Sequence, residues 1–144
     1  CHSLLLACSK LGVNMTVATP QKYAPSVEIV QEARKIAGET GAKIAITTNP
    51  EEAAEGADAL YTDTFLSMGL EQELEERMRV FLPKYQVNSE LLVKSKSDCV
   101  FMHCLPAHRE YEVTGDVIDG VSSIVWKQVE NRLHAQKSLL AAIF

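Results

Sequence analysis

Residues 42–62 read Ala42-Lys43-Ile44-Ala45-Ile46-Thr47-Thr48-Asn49-Pro50-Glu51-Glu52-Ala53-Ala54-Glu55-Gly56-Ala57-Asp58-Ala59-Leu60-Tyr61-Thr62, and this stretch decides the fold. Ala42 to Thr47 is a β-prone run. Asn49 ahead of Pro50 marks a helix start, because Asn caps free N–H groups and Pro, with its fixed φ and missing N–H, suits the first helical position. Ala59 to Thr62 is β-prone again. Strand, helix and strand in succession are the rhythm of parallel strands joined by right-handed crossovers.

The same alternation extends both ways. Upstream, Met15-Thr16-Val17-Ala18-Thr19 is a strand closed by Pro20, and Ser26-Val27-Glu28-Ile29 opens a helix to about Thr40. Before it, Leu4, Leu5, Cys8 and Leu11 share one helix face, with Gly12 as the stop. Downstream, Leu70 to Leu82 is charged and helical, and Ser89 to Ser95 is a short helix capped by Ser89. Cys99 to His103 is a buried strand broken by Pro106. Asp119-Gly120 is a turn, Ile124-Val125-Trp126 a short extended piece, and the last helix runs from Gln128 to about Ile143 with Val129, Leu133, Gln136 and Leu140 at helical spacing. The predicted class is α/β, a doubly wound, Rossmann-like parallel sheet with helices on both faces. No repeat, low-complexity tract or linker interrupts it, so one domain over 1–144 is expected. Cys1-His2-Ser3 leads directly into the first apolar helix with no element before it, so the chain reads as starting mid-domain.

Composition narrows the classes. Fourteen Lys and Arg against nineteen Asp and Glu give a net charge of −5, which argues against a sequence-independent nucleic-acid binder. No apolar run approaches the roughly 18 residues of a membrane span, so a soluble, cytoplasmic protein without a membrane partner is expected. Cys1, Cys8, Cys99 and Cys104 show no CxxC spacing and are expected as reduced thiols. Neither GxGxxG nor GxxxxGK[ST] occurs, so no nucleotide cofactor is supported.

Ligands of doubly wound sheets sit beyond the carboxyl ends of the strands, which singles out two loops. The third strand runs into Asp63-Thr64-Phe65-Leu66-Ser67-Met68-Gly69 and the fourth into His103-Cys104-Leu105-Pro106. Asp63 and Ser67, with Gly69 permitting close backbone approach, offer a carboxylate for an ammonium and free N–H groups for a carboxylate, a pairing that suits an amino acid. On spacing alone the favoured readings are Asp63 as a turn former, Ser67 as an N-cap and Cys104 as a packing thiol. Cys99, His103, Cys104 and His108 lie close enough to raise zinc, but adjacent strand residues face opposite ways and Pro106 stiffens the turn. The Glu-rich helix with Arg77 and Arg79 reads as a solvated face with i,i+4 pairs such as Glu73-Arg77. Arg132, after Glu130-Asn131, is placed either to reach an anion at the sheet edge or to pair on the surface.

Three of these stretches carry a resemblance to the transcarbamylases. Phe101 to Arg109 resembles the His-Cys-Leu-Pro motif of ornithine carbamoyltransferases, Thr62 to Glu71 their Asp and Ser-Met-Gly loop, and Val125 to Gln136 their Glu-Asn-Arg helix. Ala18-Thr19-Pro20, Tyr23-Ala24-Pro25 and Tyr85-Gln86-Val87-Asn88 are further matches. Glu110 stands where Gly is common after His-Arg, and Lys84 where Gly often precedes Tyr-Gln-Val. Nothing matches the family's first strand and Gly-Asp-Gly-Asn-Asn-like turn, or its carbamoyl-phosphate domain with the Ser-Thr-Arg-Thr loop.

The resemblance implies that residues 1–144 are the ornithine-binding domain, truncated at its start, of an enzyme that transfers a carbamoyl group from carbamoyl phosphate to the δ-amino group of L-ornithine. It implies that Asp63 and Ser67 hold the α-amino group, that the Met68 backbone meets the α-carboxylate, and that Cys104 lies beside the δ-amine as proton acceptor. Arg132, aided by backbone groups at Cys104 and Leu105, would bind carbamoyl phosphate and stabilise charge on its carbonyl oxygen. The full-length relatives form trimer-based homo-oligomers. Two other readings stand beside this one: a non-catalytic amino-acid-binding module of the same descent, and a transcarbamylase for another amine such as aspartate, putrescine or N-acetylated ornithine. Ser67-Met68-Gly69 favours ornithine between those amines.

Overall fold

The alternation of strand and helix is present, and both strand pairs are parallel. The computed structural model describes residues 1–66, 69 and 71–144, Glu71 by its backbone alone. By its internal contacts the chain divides into two units, Cys1–Ala53 and Ala54–Phe144.

In the first unit, α1 (His2–Lys10) precedes β1 (Met15–Ala18), a 3₁₀ turn at Gln21–Tyr23, α2 (Val27–Thr40) and β2 (Ile44–Thr47). The α2 boundaries follow from local chemistry. Ser26 Oγ accepts from the Ile29 N–H at its start, and Gly41, at φ +83°, ends it with its N–H on the Ala37 carbonyl. β1 and β2 pair in the register Met15 to Ile44. Leu5 of α1 and Val30, Ala33 and Ala37 of α2 pack with Ile44 of β2 into one apolar cluster. The helix α3 (Pro50–Ala54) starts where Asn49 Oδ1 accepts from the Glu51 N–H at 3.2 Å, as the Asn-Pro pair predicts.

In the second unit, β3 (Ala59–Thr62) and β4 (Val100–His103) form a parallel pair, Ala59 against Val100 and Thr62 against His103. Between them lie a 3₁₀ turn at Glu71–Glu73, α4 (Leu74–Phe81) and α5 (Ser89–Leu92). After β4 come α6 (Gly115–Ile118) and α7 (Val125–Ile143). The predicted Glu73-Arg77 pair is made at 2.8 Å, and Arg77 also donates to the Phe65 carbonyl, tying α4 to the loop after β3. The core is Val87, Phe101, Val113, Val117, Ile118 and Val125, with Leu60, Leu91, Leu92, Leu105 and Ala107 against it. All four cysteines are free thiols. Among the described residues no helix is long and apolar enough to cross a membrane.

Several boundaries differ from the sequence reading: the charged stretch read as one helix is a 3₁₀ turn followed by α4, α5 ends at Leu92 and not Ser95, and two further differences have a clear local cause. The cap of α5 is Asn88, whose Oδ1 accepts from the Leu91 N–H at 2.9 Å, so Ser89 is the first helical residue. The last helix starts at Val125 because the extended backbone ends one residue earlier, with Phe101 N–H on the Ser122 carbonyl and Ile124 N–H on the Phe101 carbonyl. Val125 then turns into the core, 1% exposed, while Val129, Leu133 and Leu140 are at helical spacing but exposed. Phe101 holds this unit at its centre, fully buried one strand residue pair before the site. Phe101→Ala should lower the unfolding free energy by about 3–5 kcal/mol, read as a reduced denaturant midpoint. A loss below about 1 kcal/mol would mean Phe101 is not the keystone of this core.

Candidate functional site

Because Thr62 faces His103 in the parallel ladder, the residues that follow, Asp63 and Cys104, leave the sheet side by side. Cys104 Sγ donates to Asp63 Oδ1 at 3.0 Å. The same Oδ1 accepts from the Thr64 N–H at 2.8 Å, so Asp63 is both turn former and partner of the thiol. Its neighbour Thr64 reaches the other loop too, with Oγ1 3.2 Å from His108 Nδ1.

The loop after β4 is held by a buried pair that the sequence did not reveal. His103 and Glu112 are both fully buried. His103 Nδ1 accepts from the Leu105 N–H at 2.8 Å, so the neutral ring carries its proton on Nε2, which donates to Glu112 Oε1 at 3.2 Å. Glu112 Oε1 also accepts from the His108 N–H at 2.6 Å. Burial pushes the Glu112 carboxyl up, but the hydrogen bonds from His103 and His108 outweigh it and bring it below the usual range. These bonds hold Leu105 in the left-handed region at φ +53°, which costs a non-glycine residue about 1–2 kcal/mol. The Leu105 N–H is thereby occupied by His103, so what its backbone offers a ligand is the carbonyl acceptor, not the donor that stabilising an oxyanion requires. Glu110 is at φ +68°, which explains why glycine suits that position. Its own Oε1 accepts from the Gly115 N–H at 2.9 Å and offsets part of the strain.

From α7, Gln128 Oε1 accepts from the His103 N–H at 3.1 Å and ties the end of β4 to the helix. One turn later on the same face is Arg132. Cys104, Leu105, Pro106, Gln128, Val129 and Arg132 line an open cavity of about 780 Å³. Arg132 is exposed, and among the described residues it takes part in no ion pair, so the surface-pairing alternative is not what the structure has.

The thiol itself is kept protonated. Burial first, and then the bond to Asp63, push Cys104 above its ordinary value, while Tyr61 works the other way. In this state Cys104 is a donor, which is the reverse of a ready proton acceptor. Of the residues predicted to form the site, Asp63, Cys104, Leu105 and Arg132 are brought together. Ser67 and Met68 lie outside the described residues. Sequence reasoning missed Glu112, Gln128 and Tyr61. The spacing Gln128 to Arg132, i to i+4 on a helix, was the available clue to the second. Among the described residues no three His, Cys, Asp or Glu side chains are grouped to hold a metal ion.

With the geometry in place, the chain can be set beside known proteins. A family model described as aspartate/ornithine carbamoyltransferase, Asp/Orn binding domain, matches residues 1–143, and the chain belongs to that family. It is 58% identical over 144 residues to an ornithine carbamoyltransferase of Bacillus cereus (strain AH187), covering 100% of this chain and 45% of that protein. The solved ornithine carbamoyltransferase of Pyrococcus furiosus is similar with a TM-score of 0.92 at 50% identity, over 97% of this chain and 44% of that one. For the Gloeobacter violaceus ornithine carbamoyltransferase the values are 0.84 and 44%, over 98% and 46%. The chain thus spans a little under half the length of the curated relatives it matches.

The His103–Glu112 pair makes a prediction about acid. A carboxyl depressed in the folded state contributes stability above its unfolded value of about 4.3 and loses it as pH falls through the folded value. Glu112→Gln keeps an acceptor oxygen but cannot titrate. Its stability should fall less between neutral pH and pH 3 than that of the parent, measured by denaturant melts. Superimposable acid limbs would show that Glu112 is not held ionised by this pair.

Proposed function

We propose that residues 1–144 are the ornithine-binding half of a carbamoyltransferase that converts L-ornithine and carbamoyl phosphate to L-citrulline and phosphate. The observation that carries this reading is the 3.0 Å contact of Cys104 Sγ with Asp63 Oδ1, made by a cysteine that also lines a cavity with Arg132. A carboxylate for an ammonium, a thiol for an amine and a guanidinium for an anion then meet in one place. The family membership supports the same reaction class.

In this reading the neutral δ-amine attacks the carbonyl carbon of carbamoyl phosphate. The C–N bond forms, the C–O bond to phosphorus breaks with its electron pair on phosphate, and the displaced N–H proton ends on phosphate. Arg132 faces the developing oxyanion, and the Leu105 carbonyl, its N–H already taken by His103, accepts from the carbamoyl NH₂. Asp63, Ser67 and the Met68 backbone hold the amino-acid head group. The α-ammonium engages the carboxylate that otherwise holds the S–H of Cys104. Substrate binding thereby removes an acceptor and a negative charge from beside the thiol, and Cys104 becomes more acidic only once ornithine is in place. The rest of the phosphate cradle belongs to a second domain, as do the contacts of a trimer, and the setting is arginine metabolism in the cytoplasm.

A chimera in which this chain replaces the matching segment of a full-length relative tests the proposal. It should carbamoylate ornithine to citrulline, and should not carbamoylate aspartate, putrescine or N-acetylornithine. In that chimera Cys104→Ser should lower kcat/KM about 10- to 1000-fold with little change in stability. A folded chimera that binds ornithine but forms no citrulline would leave a non-catalytic binding module. Unchanged kinetics for Cys104→Ser with a clearly lowered melting midpoint would reduce the thiol to a packing role.

A further inference from the structure

Among the described residues, two hydrogen bonds join the loop after β3 to the loop after β4. One is the bond of Cys104 to Asp63, and in the functional reading above Asp63 goes to a substrate ammonium. The other, between Thr64 Oγ1 and His108 Nδ1 at 3.2 Å, involves no group to which that reading gives a role. His108 is held from several directions. Its backbone N–H donates to the buried Glu112 Oε1 at 2.6 Å, and its ring stacks on that of Tyr111 with centroids 6.0 Å apart. Nδ1 also stands 3.9 Å from Glu112 Oε2, a buried oxygen with no hydrogen-bond partner among the described residues.

The direction of the Thr64–His108 bond follows from counting hydrogens. Thr64 Oγ1 lies 3.0 Å from the Leu66 carbonyl oxygen, which has no hydrogen to offer, so the single hydroxyl proton sits between them. Only acceptor capacity is left on Oγ1. One lone pair takes the Leu66 N–H at 3.3 Å and the other faces His108, so the ring nitrogen donates. The nearby carboxylate favours the same form, because Glu112 Oε2 attracts an N–H on Nδ1 and repels a lone pair there. His108 is thus the Nδ1–H tautomer, the opposite of His103, whose Nδ1 accepts from Leu105.

We propose that His108 is a positioning residue whose Nδ1–H, donated to Thr64 Oγ1, clasps the Asp63 loop to the Cys104 loop and so fixes the distance between the two ends of a bound diamino acid. The inference deepens the functional reading above and rests on it for the identity of the substrate. In that reading the head group sits on the Asp63 loop and the δ-amine beside Cys104. Arrival of the ammonium breaks the bond between Cys104 and Asp63, and the Thr64–His108 bond is then the one that still holds the two loops together. Its support is already in place, since the Glu112 oxygen that accepts from the His108 N–H also accepts from His103. Without the clasp the head group keeps its partners on one loop, while the δ-amine loses its fixed position relative to the thiol. Selection for one chain length weakens with it.

Long-range ¹H–¹⁵N NMR of the purified protein at about pH 8.5, well above the ordinary imidazole value, reads the tautomers without turnover, with His108→Phe as the assignment control. His108 should appear as Nδ1–H and His103 as Nε2–H. In Thr64→Val the acceptor is gone, and the His108 Nδ1 proton should exchange with water at least about tenfold faster. A His108 in the Nε2–H form, or an Nδ1 proton indifferent to Thr64→Val, would overturn the clasp. In a citrulline-forming chimera, His108→Phe should lower kcat for ornithine about three- to tenfold with KM within about twofold. It should also cut the preference for ornithine over lysine, one methylene longer, by about threefold or more. His108→Asn, whose amide N–H can stand where Nδ1–H stood, should recover most of both losses. An unchanged preference, or a KM rise at constant kcat, would overturn the positioning role. If the NMR pattern holds but no chimera forms citrulline, the functional reading fails and the clasp stands.

Discussion

The parallel pairing of β3 with β4, in the register that sets Thr62 against His103, is the constraint on which the rest of the site depends. A shift of one residue would turn Asp63 and Cys104 to opposite faces, because side chains alternate along a strand. In the observed register the carboxylate and thiol emerge together, and a hydrogen bond of 3.0 Å joins them. Phe101, buried in the core three residues before Cys104, packs the strand that carries that register. The two loops that matter are then neighbours by topology.

Around this pair the protein spends its buried polar groups on the backbone of one loop. His103 and Glu112 sit where apolar residues would pack at less cost, and the hydrogen bonds of their side chains join them to each other and to the backbone of Leu105 and His108. The return is a Leu105 held at positive φ and a Cys104 whose surroundings are set before any ligand arrives. Gln128 adds an anchor from α7, so that Arg132, one turn on, is placed relative to the thiol by a side-chain hydrogen bond to the backbone of β4. Preorganisation of this kind removes reorientation from the chemical step.

How much of this could be read from residue order depends on the range of the interaction. Asn49-Pro50, Ser26 and Gly41 act within four residues, and their helices fall where the sequence places them. Asp63 and Cys104 were nameable because each follows a β-prone run, and strand ends of parallel sheets converge. The His103–Glu112 pair spans a loop with two left-handed residues, Leu105 and Glu110, and no periodicity connects its ends. Asn88 was passed over for Ser89 because both are good caps, and only the observed bond to Leu91 separates them. The early start of α7 was hidden because β-branched Val125 and aromatic Trp126 favour strands, a preference that burial of Val125 overrides.

The most direct test of the β3–β4 arrangement is a disulfide trap. The Cα atoms of residues facing one another across a parallel pair lie within the range a disulfide spans, roughly 4.4–6.8 Å, and the contact of Asp63 with Cys104 shows that their side chains converge. In the Asp63→Cys variant, mild oxidation should join position 63 to Cys104 within one chain, identified by peptide mapping, while Cys99, buried in the unit, stays reduced. A variant that remains folded by circular dichroism yet forms no such crosslink would contradict the register, and with it the shared site built on Asp63 and Cys104.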